Sequence, residues 1–411
     1  MRLLFEFFDS GAPPVVPPSG PDGVLLAAGI GFEEGVTHVV EYHTHIIQSW
    51  NGLETRTRYL SLPRDRIDGD VVVTDEDVLR ELRRRRVFDP SSVFLVPVRY
   101  EESTSLTDIS GTSFSIDATY LDWLVPGQRV WIESPAAGYQ AVIQTAGAGP
   151  GVVTVTVDAA PPSGNFPAIA TTITPLRPFY LHPGSPIGRW NVGAGRWTAS
   201  LLGYAPRDVL GTGGVVSTLD GLTILDTRPS ITDLGAEDRP EGGVEVHDFG
   251  GTILPEWSRT VADIFRSHEY SILSAADRAF WWKFLDTVKG RQKAFLLPTW
   301  REDFESSGGF GGTDTCDFDD GGAYAIDWFA DASHRRFWIV DAAGALVFRT
   351  ATAASVVSGK SRVTFNSAPG LTGPIMLTFL ELVRLANDET EFVYEAGCLG
   401  SIELRFMVVR Q

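Results

Sequence analysis

"KAFLLPTWREDF" spans Lys293–Phe304, and "VFLVPVRYEESTS" spans Val93–Ser105. Both run Phe, Leu, an apolar residue and Pro, then one residue, then an aromatic or a base. Phe94 and Phe295 lie 201 residues apart. Similar spacings continue on both sides. Asp122-Trp123 matches Asp327-Trp328 at 205, and Trp131-Ile132 matches Trp338-Ile339 at 207. "VTVDAAP" at Val155–Pro161 matches "VTFNSAP" at Val363–Pro369 at 208. Upstream, "VEYH" at Val40–His43 pairs with "VEVH" at Val244–His247 at 204. Loop insertions produce such a slow drift, so the chain reads as an internal duplication.

The predicted organisation has four parts. Residues 1–35 form an N-terminal arm, extended through the Pro/Gly-rich stretch Gly11–Gly23. Repeat one covers 36–205, with an inserted barrel at about 103–175, and 206–239 is a connector with a strand pair near Val215–Leu225. Repeat two covers 240–411, with its barrel at about 305–378. Each repeat opens with alternating strand-type residues. A helix follows: Thr74–Asp77 starts the first, with Val78, Leu79 and Leu82 as its stripe. Ser274 and Asp277 cap the second, with Phe280, Trp281, Phe284, Leu285 and Val288 inward and Gly290 as the stop. Then come the Phe-Leu-x-Pro strand, a block of short strands, and a return strand, "RWTASLLGY" or "SIELRFMVVRQ". The expected fold is mainly β with minor α: a duplicated β-sandwich with one helix and an inserted small barrel.

Composition narrows the function. The 411 residues are 43% apolar, enough for several cores. Thirty-four basic against 52 acidic residues leave a net charge of −18, which argues against binding a phosphate backbone. No apolar run reaches 18 residues, so no membrane span is expected, and the N-terminus lacks a signal-peptide pattern, which places synthesis in a cytoplasm. Cys316 and Cys398 form no disulfide framework; buried thiols or a single bridge both fit.

The chemistry-bearing residues point away from catalysis. The Gly359-Lys360-Ser361 run lacks the first glycine of a phosphate loop and reads as a turn. His43 and His45 alternate on one strand face with Glu41, and His247 matches His43, but nothing in repeat two answers His45. A zinc site needs three or four convergent ligands. Asp122 and Asp327 suggest glycosidase carboxylates, yet a repeated Asp-Trp reads as a turn whose Trp packs a barrel floor. Trp123/Trp328 and Trp131/Trp338 are thus expected as core pairs. Arg83–Arg86 end a helix, where cations suit the dipole, and Gly308–Gly312 read as a mobile loop. No catalytic, cofactor or metal residue is assigned, and no enzymatic activity is expected.

"GLETRTRYLSLPR" (Gly52–Arg64) followed by "GRQKAFLLPTWREDF" (Gly290–Phe304) resembles tail-tip proteins of long, non-contractile-tailed bacteriophages, of the distal tail protein and hub type. The resemblance covers both repeats and is clearest at 50–64 and 278–304. It implies a β-sandwich that assembles as a ring at the end of the tail tube, joins tube to hub, fibres or spike, and surrounds the DNA channel without catalysis. DNA is then passing cargo, and the protein sits in the virion after synthesis in the bacterial host. Two repeats per chain fit either a trimer with pseudo-six-fold symmetry or a hexamer. A carbohydrate-binding module pair for host attachment is the alternative.

Overall fold

The computed structural model describes residues 24–25, 30–32, 35–48, 54–59, 62–73, 76, 80, 82–84, 92–147, 151–162, 164, 166–182, 187–189, 195–204, 216–230, 239–241, 244–248, 253–257, 263–301, 303–306, 310, 312–371 and 375–409. Numbered along the chain, β1 (Val24–Leu25) and β2 (Ile30–Phe32) come first. Repeat one supplies β3 (Val36–Glu41), β4 (Thr44–Gln48), β5 (Glu54–Arg58), β6 (Arg64–Val73), β7 (Val93–Pro97), β8 (Ser103–Thr104), β9 (Ser113–Asp117), β10 (Arg129–Glu133), β11 (Gly138–Ala146), β12 (Val152–Val157), β13 (Thr172–Leu181), β14 (Ile187–Arg189) and β15 (Gly195–Gly203). The connector holds β16 (Thr218–Leu219) and β17 (Leu222–Thr223). Repeat two supplies β18 (Arg239–Glu241), β19 (Val244–Asp248), β20 (Ile253–Trp257), β21 (Asp263–Ile272), β22 (Phe295–Pro298), β23 (Phe304–Ser306), β24 (Thr315–Phe318), β25 (Arg336–Asp341), β26 (Leu346–Val357), β27 (Lys360–Phe365), β28 (Ile375–Leu385), β29 (Glu389–Ala396) and β30 (Leu399–Val408). The protein is mainly β with minor helix.

The two repeats share one hydrogen-bonding circuit. In repeat one β3 pairs with β6, β4 with β5, β7 and β8 with β13, β9 with β12, β11 with β10 and β12, and β10 with β13, all antiparallel. Repeat two makes the same pairings fifteen strands later. Even the irregularity recurs: a bulge falls between Ile143 and Thr145 in β11, and between Ala351 and Ala353 in β26. Phe94 faces Phe179 across its ladder, as Phe295 faces Val383. The strands end at Pro97 and Pro298, which donate no ladder hydrogen bond. The N–H groups just beyond, Val98 and Thr299, donate to Pro175 and Phe379 carbonyls, both at 3.0 Å.

The register corrects one sequence match. Glu41 pairs with Arg64, and Glu241 pairs with Asp263. Glu41 therefore corresponds to Glu241, not to Glu245 of "VEVH". A strand repeats every two residues, so a slip of four keeps the apolar pattern while moving every partner.

The helix Ala275–Val288 follows from its ends and its stripe. Asp277 N–H donates to Ser274 Oγ at 3.1 Å, and the Asp277 carboxylate accepts from Leu273 N–H at 3.0 Å. Lys289 and Gly290 are left-handed, with φ of 54° and 63°, which stops the helix. Trp281, Phe284, Leu285 and Val288 are buried. Trp281 meets Tyr270 of β21 at 4.6 Å between ring centroids, and Phe284 meets Phe295 of β22 at 5.0 Å. Two details differ from the expected stripe: Phe280 is only half-buried, whereas Trp282 is buried against His38 and Phe392. This helix is covered from a second side. In the first helix Glu76, Arg80 and 82–84 are helical and Leu82 is buried, while Val78, Leu79 and the Thr74–Asp75 start lie outside the described residues.

The chain forms two compact units, which cut across the repeats. One holds 1–30, 73–183 and 190–195; the other holds 31–72, 184–189 and 196–411. In the first, β1 lies parallel to β7, and β8–β13 build the first barrel around Phe114, Ile116, Trp123, Val130, Ile132 and Phe166. Residues 1–23 of the expected arm lie outside the described residues. The second unit holds β3–β6 together with repeat two, because β3 pairs with β29 as well as with β6. Its barrel closes around Phe318, Tyr324, Phe337, Ile339, Phe365 and Leu377. The connector pair β16–β17 turns through Asp220-Gly221, and Ile224 bridges to Leu296.

Candidate functional site: an inter-repeat clamp

The opening strands of repeat one are held by repeat two along a dense seam. β3 and β29 run antiparallel in register from Glu41↔Glu389 to Val36↔Tyr394. At one end Gly35 has φ +97°, and a Cβ there would lie 2.6 Å from the Tyr394 carbonyl oxygen, so only glycine fits. His38 sits in the middle, with ring centroids 5.3 Å from Trp282 and 5.9 Å from Phe392, and its Nε2 is 3.2 Å from Asp65.

At the other end the β4–β5 hairpin is clamped. Asp388 is the hub: its carbonyl accepts from Tyr42 N–H at 3.0 Å, and its carboxylate accepts from Thr44 N–H at 2.7 Å and Arg291 N–H at 3.0 Å. The Arg291 guanidinium returns to the Thr44 carbonyl at 2.8 Å. Gly290, which ends the helix, lies under Tyr42. Deeper in, Arg384 donates to both Glu54 oxygens, at 2.9 and 2.8 Å, and Arg56 donates to the same carboxylate at 2.9 Å. Glu54 and Arg384 are both buried. Burial alone would push the Glu54 carboxyl up, but the Arg384 and Arg56 guanidinium groups outweigh it and hold the carboxyl below its ordinary range. A paired carboxylate between two guanidinium groups is a positioning device: it fixes hairpin register and orientation, and it offers no reacting atom to solvent. The signal in the sequence is the alternation of Glu54, Arg56 and Arg58 along one strand face, charges a solvent-facing hairpin does not need in that order.

The residues considered earlier for chemistry are dispersed. Strand β3 ends at Glu41 and β4 begins at Thr44, so Glu41, His43 and His45 do not share one strand. His43 and His45 are exposed, each about one ring away from Tyr59 at 6.1 and 6.0 Å between centroids. His247 pairs with Leu254 in the β19–β20 hairpin and is not the counterpart of His43. Among the described residues no group of three or more His, Cys, Asp or Glu could hold a metal ion. Gly359 and Ser358 have φ of 74° and 53° and turn β26 into β27, a hairpin turn rather than a phosphate loop. Lys360 there pairs with Asp319, and Arg362 forks onto Asp317 at 2.7 and 2.8 Å.

Asp122 and Asp327 lie in different barrels, and their tryptophans diverge. Trp123 is buried and donates from Nε1 to the Glu101 carbonyl at 3.0 Å. Trp328 is 42% exposed, correcting the expected core pair. Its repeat uses a helical turn, Tyr324–Trp328, and this rotates Tyr324 into the core instead. Trp131 is buried and Trp338 partly buried, as expected of their match. In the glycine run, Phe310 is buried against Phe365 at 5.3 Å, an anchor at the centre of the expected mobile loop; Gly308, Gly309 and Gly311 lie outside the described residues. Arg83 and Arg84 are helical, and Arg85 and Arg86 lie outside the described residues. Cys316 and Cys398 are both free, the first buried and the second half-buried. No helix among the described residues is long and apolar enough to cross a membrane.

A comparison with protein-family models gave no match, and a comparison with curated proteins gave none.

Proposed function

We propose that this chain is a structural component of a bacteriophage tail tip, in a distal tail or hub ring that joins the tail tube to fibres or spike and surrounds the DNA channel. The supporting observation is the head-to-tail seam: repeat one offers β3 and a hairpin, and repeat two receives them with β29 and Asp388. Contacts that use different surfaces on like units propagate, and they close into rings when the rotation permits. Three chains would then present six near-equivalent units, which suits a six-fold tube above a three-fold spike. A hexamer is the plainer arrangement. The net charge of −18 fits a wall past which DNA slides, because like charge repels phosphate. In this reading the protein is made in the bacterial host and carried in the virion, with other tail proteins as its partners.

Mass measurement of the purified assembly and immunogold labelling of virions test this. Three chain masses support the adaptor ring, six support the hexamer, and a single-chain particle with no label at tail tips overturns the reading. Trp328 favours a second reading. It is an exposed tryptophan in one barrel with no exposed counterpart in the other, as sugar-stacking residues are in carbohydrate-binding modules for host attachment. Loss of glycan binding in Trp328→Ala on a host-polysaccharide array would favour that reading.

A further inference from the structure

The two barrels follow one circuit but differ in one connection. Ile116 and Phe318 hold matching rungs of that circuit, and so do Trp131 and Trp338. Trp131 follows Ile116 by 15 positions, whereas Trp338 follows Phe318 by 20, so the second barrel carries five extra residues between β24 and β25. The longer connection is folded. Phe329 N–H reaches back five residues to the Tyr324 carbonyl at 2.9 Å, a wide helical turn of the kind found frequently at functional sites. A second turn covers Ala332–His334, and Asp331 caps it by accepting from Ser333 N–H at 2.8 Å. Asp331 N–H joins the two turns by donating to the Trp328 carbonyl at 3.0 Å. Arg335 donates to the Phe329 carbonyl at 2.9 Å and lies over the Phe329 ring.

This frame presents Trp328. Its ring is backed by His334 at 4.8 Å and by Phe379 at 6.0 Å between centroids, yet 42% of the residue is open. Trp123, in the shorter connection, is buried. The groups exposed beside Trp328 are Ile326, Asp327 and Asp331.

Charge and shape limit what an open indole edged by acceptors can take. An anionic ligand meets Asp327 and Asp331 and is repelled. A wholly apolar partner would cover those carboxylates without giving them a donor. A cation is held best by a cage of aromatic faces, and here the other rings lie on the backed side. A pyranose with equatorial hydroxyls has a face of axial hydrogens that lies flat on an indole, and a rim of hydroxyl donors that carboxylates accept. We infer that Trp328, with Asp327 and Asp331 beside it, forms a stacking site for one ring of a neutral oligosaccharide. Such a site rests on the glycan reading of Trp328 and is independent of whether copies of the chain form a ring.

Isothermal titration of the full chain tests it, with cellotetraose and tetra-N-acetylchitotetraose as neutral probes and tetragalacturonate and choline as charged ones. Wild type is expected to bind at least one neutral probe, and more tightly than either charged one. Trp328→Ala should weaken that binding about tenfold or more, with far-UV circular dichroism unchanged, and Trp328→Phe should keep most of it. Binding that survives Trp328→Ala overturns this site and leaves a glycan-binding chain. Binding of neither neutral probe overturns the site and the glycan reading together. Tighter binding of tetragalacturonate or choline overturns the neutral-sugar assignment. A measurement on the wild type covers the case of a variant that fails to fold. Oxidation of Trp328 by N-bromosuccinimide, read by peptide mass, should slow when the bound oligosaccharide is present, and unchanged oxidation overturns the proposal.

Discussion

Arg384 and Glu54 lie 330 positions apart in sequence and meet fork to fork, with two parallel hydrogen bonds inside the seam between the repeats. Such pairs cost several kcal/mol of desolvation per ion and recover it only with good geometry. The pair therefore specifies where the hairpin docks more than it adds net stability.

Arg384→Ala should destabilise the second unit by about 3–5 kcal/mol, because it strands a buried carboxylate with Arg56 alone. Glu54→Leu combined with Arg56→Met and Arg384→Met should cost much less than the single change, since it removes all three charges of the cluster and keeps the volume. Urea titrations of the wild type and the two variants measure this; equal losses in the single and the combined variant would show that the hairpin depends on the charges themselves.

The same pair sets an acid response. Glu54 is held below its ordinary value of 4.5 in the folded protein. Its stabilising effect is thus fully present above that value and is lost as pH falls through the lower folded value. Thermal melts of wild type and Glu54→Gln should differ most near neutral pH and converge in acid below 4.5.

Gly290→Ala should cost about 1–3 kcal/mol. The residue sits at φ +63°, and an added Cβ would lie 2.7 Å from an Asp388 carboxylate oxygen and 2.8 Å from Tyr42 Cβ. Gly127→Ala is the control: it shares a positive φ but has open space around it, so it should lose only the backbone part. Chemical denaturation of both variants checks the order.

The tryptophan pair should behave asymmetrically. Trp123→Ala opens a cavity in the first barrel and should cost about 3–5 kcal/mol. Trp328→Ala should cost less, about 1 kcal/mol, as expected of a side chain that is 42% exposed and covered on one side by His334 and Phe379. Comparable losses would mean that Trp328 is covered in solution.

Burial pushes the Cys316 thiol up to about 11, and the thiolate is the reactive form. A thiol reagent at neutral pH should modify Cys398 in the folded chain and reach Cys316 only after denaturation.

Much of the fold was legible because the Phe-Leu-x-Pro strands are buried on both faces and carry an unbroken apolar run. Chain-order periodicity also marked the helix caps at Ser274 and Gly290. The partner of β3 was not legible: its far edge meets β29, more than 300 residues on, and no local pattern encodes a long-range ladder. The mismatch of "VEYH" with "VEVH" came from the same source, since a two-residue period tolerates an even slip. Trp328 was misplaced because a helical turn changes which residue points inward while leaving the Asp-Trp string intact. The clamp left a trace in the Glu54, Arg56, Arg58 alternation, but its partner Arg384 could be found only in three dimensions.

The bulge shared by β11 and β26 carries a chronology. An extra residue at the same rung of two barrels, within the same circuit of pairings, points to one origin rather than two. The barrel was therefore already inserted in an ancestral single unit when that unit was copied.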